Sequence, residues 1–130
     1  MNNSEHGIIT RQSKYSVKEA LDKFEALLSA KGITVFTRID QRAEAKKVGM
    51  DLPPTELIVF GNPRAGTPIM AAFPLAALDL PLKLLAWGQD DTVWLAYNDP
   101  AYLQQRYALP DEMTKKIDFR PLVDQIAIGS

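Results

Sequence analysis

The residues with the clearest chemical potential lie in the segment FGNPRAGTP, residues 60–68. An apolar run precedes it, so we expect a strand that leads through a loop at residues 61–67 into a helix beginning with the Thr67-Pro68 pair. Free amides at a helix N-terminus favour an anion, and Arg64 could add a charge-assisted hydrogen bond. The segment therefore predicts an anion site. Its candidate ligand-binding residues are Asn62, Arg64, Gly66 and Thr67.

Two other interpretations of this segment differ in how well the residues fit them. Gly61 and Gly66 have the spacing of a nucleotide-binding P-loop, but Thr67 stands where the essential lysine should follow, so we exclude a P-loop. The other is a tight turn without a ligand, in which glycine permits a positive φ and proline stiffens the chain. The sequence leaves the anion site and the empty turn both open.

A second group of polar residues interrupts the most apolar part of the chain. It consists of Asp79, Lys83, Asn98 and Asp99. A buried charge is costly unless it is paired, so we expect Asp79 to pair with Lys83 or to cap a neighbouring loop. Contact with a ligand is the alternative, which makes Asp79, Lys83 and Asn98 candidate site residues.

The carboxylates support two further hypotheses. Asp40, Asp79 and Asp99 could supply oxygen ligands to Mg²⁺ or Ca²⁺, but no spacing brings them together, and we predict no metal site. Asp40 or Asp79 could instead serve as an acid–base group near Lys83, because an apolar setting raises the pKa of a carboxyl. An enzyme of that kind is the alternative to a binding function.

Several reaction classes are excluded by what the chain lacks. It has no cysteine and one histidine, His6, so thiol nucleophiles, cysteine-ligated zinc and a Ser–His–acid triad cannot be built from a defensible set of residues. His6 lies in a polar leader, where we expect an exposed side chain without a function. We predict no cofactor.

Charge narrows the range of partners. Fifteen basic against 16 acidic side chains give a net charge of −1, which offers no basic stripe for nucleic acid. Residues 52–88 hold only four of these charges, so this middle part is either core or an interface. No segment has the length of a membrane span or of a signal peptide. We therefore predict a cytoplasmic protein whose mature chain starts at Met1.

Hydrophobic periodicity gives the elements that must position these residues. The clearest is a helix that starts at the capping box of Ser16 and Glu19, has one buried apolar face and stops at Gly32. The predicted strands are residues 6–13, 33–39, 55–60, 82–87 and 92–97. Further helices are predicted after Asp40, Thr67 and Asp99, the one after Thr67 being closed by Pro74. The 33–39 strand alternates, with one fully apolar face.

This order favours an α+β fold: a two-layer sandwich with a mixed or antiparallel sheet and helices packed mainly on one face. The two strands at residues 82–97 are expected to form a hairpin. No linker divides the chain, so we predict one domain over residues 1–130, with a core at about 15–109 and a helical tail at 111–128 that is kinked before Pro121.

Residues 36–107 resemble the domain-of-unknown-function 302 family, over a coverage of about 15–109. Four segments carry the resemblance: RID at 38–40, PTELIVFGNPRAGTP at 54–68, ALDLPLK at 77–83 and YNDP at 97–100. The resemblance implies a two-layer α+β domain like the TATA-binding protein, with homodimeric relatives and no established activity. Many relatives have histidine where this chain has Gln41, so a proton-transfer role at that position does not apply here.

Our leading hypothesis from the residues and the resemblance is a homodimeric module that binds a small molecule or anion near residues 61–67. If the family-like segments line one pocket, its residues are Asp40, Asn62, Arg64, Thr67, Asp79, Lys83 and Asn98. The alternatives are the acid–base enzyme and a purely structural or protein-interaction domain, in which the apolar middle is a subunit contact.

Overall fold

The computed structural model describes residues 5–129; the predicted start at Met1 lies outside them. The strands are β1 Ile8–Gln12, β2 Thr34–Asp40, β3 Thr55–Gly61, β4 Leu82–Gln89 and β5 Thr92–Asn98. The helices are α1 Val17–Ala30, α2 Gln41–Lys47, α3 Pro63–Ala72, α4 Pro100–Tyr107, α5 Asp111–Lys115 and α6 Arg120–Asp124, with 3-10 turns at Glu5–Gly7 and Pro74–Leu78. The strands form one antiparallel sheet in the order β1-β5-β4-β3-β2. The α+β prediction is confirmed.

Helix α1 forms as its sequence predicts. The backbone N–H of Glu19 donates to Ser16 Oγ at 3.2 Å, and the Ser16 hydroxyl donates to the Glu19 carboxylate at 3.0 Å. After the helix, Gly32 takes a φ of +69°, which glycine adopts without steric cost. The buried side includes Leu21, Phe24 and Leu28, all of which have no solvent exposure.

The sheet has one covered face and one open face. Residues directly opposed in antiparallel strands point to the same side, so the register assigns each side chain to a face. On the covered face, α1 and α6 pack with the sheet around Phe60, whose ring meets Phe24 and Phe119 edge to face at 5.1 and 5.0 Å. The open face carries the apolar side chains Ile8, Ile39, Leu57, Val59, Leu85, Trp87, Trp94 and Ala96.

Strand β2 departs from the predicted alternation because its register shifts between Val35 and Thr37, at Phe36. Val35 opposes Phe60 on the covered face, whereas Ile39 opposes Leu57 on the open face. A bulge adds one unpaired residue and reverses the facing of every residue after it. The expectation of one fully apolar face at residues 33–39 is therefore wrong.

The ends of the chain also differ from the predicted elements. Strand β1 begins at Ile8 rather than residue 6, because His6 has a φ of +58° in the preceding turn; its side chain is exposed. The segment predicted as a tail contributes to the core: Leu122, Val123 and Ile126 are buried beside α1. A second apolar cluster joins α3 and α4 to the α5–α6 connection. It contains Ile69, Ala76, Leu103, Leu109 and Ile117.

Candidate functional site

The segment predicted as a glycine loop is mostly helical. Helix α3 begins at Pro63, so Pro68 lies inside the helix rather than at its first position. Asn62 is the N-cap: its Oδ1 accepts from the Arg64 N–H at 2.9 Å, and its carbonyl accepts from the N–H groups of Ala65 and Gly66 at 2.9 and 2.8 Å. Pro63 has no N–H to offer. The first N–H groups of α3 therefore donate to Asn62. This contradicts the prediction that free amides at the start of this helix are available to an anion.

The start of α3 nevertheless borders a cavity of about 240 Å³, here called the α3 cavity. Asn62 and Gly66 contribute to its wall, whereas Arg64 and Thr67 are exposed and lie outside it. Of the four residues predicted in this segment, two therefore border the cavity and two do not. The full lining is Phe36, Gly61, Asn62, Pro63, Ala65, Gly66, Met70, Leu80, Pro81, Leu82, Lys116, Ile117 and Phe119.

Most of this lining is apolar, and its polar side chains are those of Asn62 and Lys116. An apolar cavity of about 150 Å³ holds one benzene ring, so the α3 cavity has room for a ring with a short substituent. Pockets that bind small molecules combine an apolar wall with a few polar groups that fix orientation. The geometry suits a small, largely apolar ligand.

Asp79 does not pair with Lys83. Its carboxylate accepts from Arg106 Nη1 at 2.9 Å and from the Tyr107 hydroxyl, both near the end of α4. Partial burial and then the Asp79 carboxylate raise the pKa of Tyr107. Asp79, which directly follows the Pro74–Leu78 turn, therefore binds this segment to α4. The predicted Asp79–Lys83 pair is wrong.

Lys83 and Asn98 lie on the open face of the sheet. They border a shallow depression of about 280 Å³ whose other walls include Leu57, Leu85 and Ala96. Within residues 5–129 the Lys83 ammonium has no ion pair or hydrogen bond. Lys83 and Asn98, two residues of the second predicted group, therefore lie together, whereas Asp79 lies elsewhere, beside α4.

The remaining carboxylates cap helices. Asp40 Oδ1 accepts from the Ala43 N–H, and Asp99 Oδ1 accepts from the Ala101 N–H, both at 2.9 Å. Asp40 opposes Glu56, which opposes Ala86, and Ala86 is three residues from Lys83 on β4. Two strand spacings and three residues along the strand put the Cα atoms of Asp40 and Lys83 about 14 Å apart. That separation does not allow the acid–base pair. Within residues 5–129 the structure also forms no cluster of three metal-ligating side chains.

Some cavity residues were not among the sequence predictions. Phe36 is brought to the cavity by the bulge in β2, and Lys116 and Phe119 arrive from the segment predicted as a tail. The bulge could not be predicted, because no particular residue type marks a bulge in a strand of alternating residues. In residues 111–128, the spacing of the side chains gives no sign of contact with α3. The apolar pair in KKIDF, residues 115–119, is the one available signal.

Comparison with protein families agrees with the sequence resemblance. A family model described as "Domain of unknown function DUF302" matches residues 9–120. The chain is also 47% identical over 104 residues to the "Fluoride-specific ion channel FluC 1" of Brucella suis biovar 1 (strain 1330) and to that of Brucella abortus biovar 1 (strain 9-941). These matches cover 79% of this chain but 41% and 38% of the relatives, so the chain spans about two fifths of their length.

A solved structure has the same fold. The crystal structure of an uncharacterized conserved protein DUF302 from Bacillus stearothermophilus matches 93% of this chain and 95% of its own, with a TM-score of 0.77 and 17% identity. None of the helices within residues 5–129 has both the length and the apolar character that crossing a membrane requires.

Proposed function

The chain belongs to the DUF302 family, and from this premise we propose that it is a homodimeric binding domain whose ligand is a small, largely apolar molecule in the α3 cavity. The family description names no activity, so the proposal depends on the geometry of this cavity. The observation that carries it is an apolar cavity of about 240 Å³ at the end of β3, bordered by the family-like segment at residues 54–68.

The cavity walls support a preformed site. Ile117 is 5% exposed and Leu82 packs against both core clusters, so this side of the wall is fixed by the core. Another part of the wall is the first turn of α3, which the Asn62 cap holds in place. A site on rigid elements spends little binding free energy on ordering its walls.

Gly66 provides a way to test the site. A Cβ added there would meet Met70 Cε at 3.8 Å, an ordinary contact, and its φ is not positive, so the backbone accepts a residue other than glycine. We expect Gly66→Leu to fill part of the cavity while the fold is retained. Thr67→Leu, one residue further along α3 and outside the cavity, is the matched control.

The experiment is a titration with indole, which has the size of the cavity, followed by amide chemical shifts in NMR spectra. In the wild type and in Thr67→Leu, we expect shifts that saturate at residues of the cavity wall; in Gly66→Leu these shifts should be absent. Binding of indole that is unaffected by Gly66→Leu, or no binding at millimolar indole, would contradict the proposed site.

The open face supports the homodimeric part of the proposal. Its eight apolar side chains belong to neither core cluster, and none is fully buried by the elements described at residues 5–129. Contiguous apolar surface of this kind marks an interaction site. A second copy would cover it with an equally apolar face in a two-fold arrangement.

The curated relatives favour a second candidate function, a domain that works beside a fluoride channel. The supporting observation is 47% identity over 104 residues with proteins named as such channels, of which this chain matches about two fifths. The test is co-sedimentation of the purified chain with proteoliposomes that contain a fluoride channel. Enrichment over protein-free liposomes is the expected result, and equal recovery from both would contradict it.

A further inference from the structure

The polar side chains of the α3 cavity are fixed as hydrogen-bond donors. The Arg64 N–H donates to Asn62 Oδ1, so this atom must be the amide oxygen, and the Asn62 NH₂ group is the end that remains. Within residues 5–129 that NH₂ group has no partner. The other polar side chain, Lys116, is an ammonium with three donors and no acceptor.

Lys116 is an exposed lysine that borders the apolar wall of the cavity. Its nearest carboxylate along the chain, Asp118, is already bound to Arg120 through contacts of 2.9 and 2.6 Å. The Lys116 side chain has no ion pair or hydrogen bond among the described residues. None of the other lining side chains is ionisable, so the polar side chains of this cavity offer a ligand one positive charge and hydrogen-bond donors.

We propose that the ligand of the α3 cavity is a small hydrophobic monocarboxylate, with its carboxylate held by Lys116 and the Asn62 amide and its apolar body in the cavity. The inference rests on the proposed function. A carboxylate has two acceptor oxygens and no donor, which complements this pair of groups. A cavity of about 150 Å³ holds benzene, which has six carbon atoms. In proportion, the α3 cavity of about 240 Å³ suits a ligand of about ten non-hydrogen atoms.

Phenylacetate and phenylacetamide test this inference, because they have the same shape and differ in charge. Calorimetric titration of the wild-type chain should give an affinity for phenylacetate about tenfold higher than for phenylacetamide, as expected for a charge-assisted contact. Lys116→Met should remove this preference and leave the affinity for the amide. Lys115→Met, the neighbouring lysine outside the cavity, should keep the preference.

Asn62→Asp is a second variant that keeps the fold. An aspartate retains the oxygen that caps α3 but replaces the NH₂ donor by a negative charge, so phenylacetate should bind at least tenfold more weakly while thermal stability is unchanged. Equal affinity of the wild type for both compounds overturns the carboxylate inference but agrees with the α3 cavity as a binding site. Failure of both compounds to bind at millimolar concentration overturns the inference together with the proposed function.

Discussion

Side chains of the same chemical type serve different purposes in this chain. Asp40 and Asp99 each accept a backbone N–H at the start of a helix, whereas Asp79 binds Arg106 and Tyr107 from another element. The Arg38 guanidinium binds the carboxylates of Asp22, Glu25 and Glu56 across α1 and β3, which hold its pKa above the ordinary value although burial opposes this. These contacts are structural, so none of these side chains is free to bind a ligand.

Tyr97 gives a prediction at this scale. Its ring packs on the covered face, and burial followed by the Asp124 carboxylate raises its pKa from 10.0 to about 12. Between pH 10 and 12 the unfolded chain loses this proton before the folded chain does, so the free energy of unfolding falls as pH rises. We expect Tyr97 to account for about 2 kcal/mol of that fall at most.

Urea unfolding of the wild type and of Tyr97→Phe across this pH range measures the difference. The variant should lose stability less steeply than the wild type. Tyr102→Phe, a change at a tyrosine that is 36% exposed, should follow the wild type. Parallel curves for the wild type and Tyr97→Phe would show that the ionisation of Tyr97 is not coupled to folding.

At the scale of elements, the segment between β3 and α3 determines the site. The strand ends at Gly61, and Asn62 caps the helix at once, so no loop separates the two elements. Gly61 lies close to Phe36 and Pro81, and the cavity is bordered by these residues and by the first turn of α3.

The cap gives the corresponding prediction. Asn62→Ala removes the oxygen that accepts from the Arg64 N–H, and the loss of an N-cap costs about 1 kcal/mol of unfolding free energy. Asn62→Asp should keep the stability of the wild type, because aspartate caps as well as asparagine. The measurement is chemical denaturation; equal stability of the alanine and wild-type proteins would contradict a role for the cap.

At the scale of the whole fold, the helices within residues 5–129 leave one sheet face uncovered. The residues Ala96, Leu85, Leu57 and Ile39 form an apolar row across four adjacent strands of that face. A second, shorter row pairs Trp87 with Trp94. Burying such a surface is favourable by about 25 cal/mol for each Å² of apolar area, which is the driving force proposed for the homodimer.

Leu85 is at the centre of this surface, so Leu85→Glu tests the dimer. The carboxylate would have to leave water at the centre of an apolar interface, a cost that pairing with Lys83 on the same face does not fully offset. The variant should therefore sediment as a monomer at concentrations where the wild type is a dimer. Leu75→Glu makes the same change at a leucine that is 73% exposed on another surface and should remain dimeric. A wild-type chain that is monomeric up to submillimolar concentration would contradict the homodimer.

The sequence by itself determined the local features of this protein. The Ser16 capping box, the Gly32 stop, the hairpin and the helix caps at Asp40 and Asp99 all occur as predicted, because each depends on residues a few positions apart. The α+β class followed from the order of the predicted elements, and the family from the resemblance of four segments. These signals are short-range, and the backbone geometry that they favour is independent of the rest of the chain.

The tertiary structure alone decided which residues meet. The α3 cavity combines Phe36, Gly66 and Lys116 from three distant parts of the chain, and the partner of Asp79 is Arg106 rather than the nearby Lys83. Such contacts depend on the register of β2, on the point where α3 begins and on the packing of residues 116–119. The bulge in β2 has no distinctive residue type. The pairs Asn62-Pro63 and Thr67-Pro68 both offer an N-cap followed by proline, so the local sequence did not decide which of them begins α3.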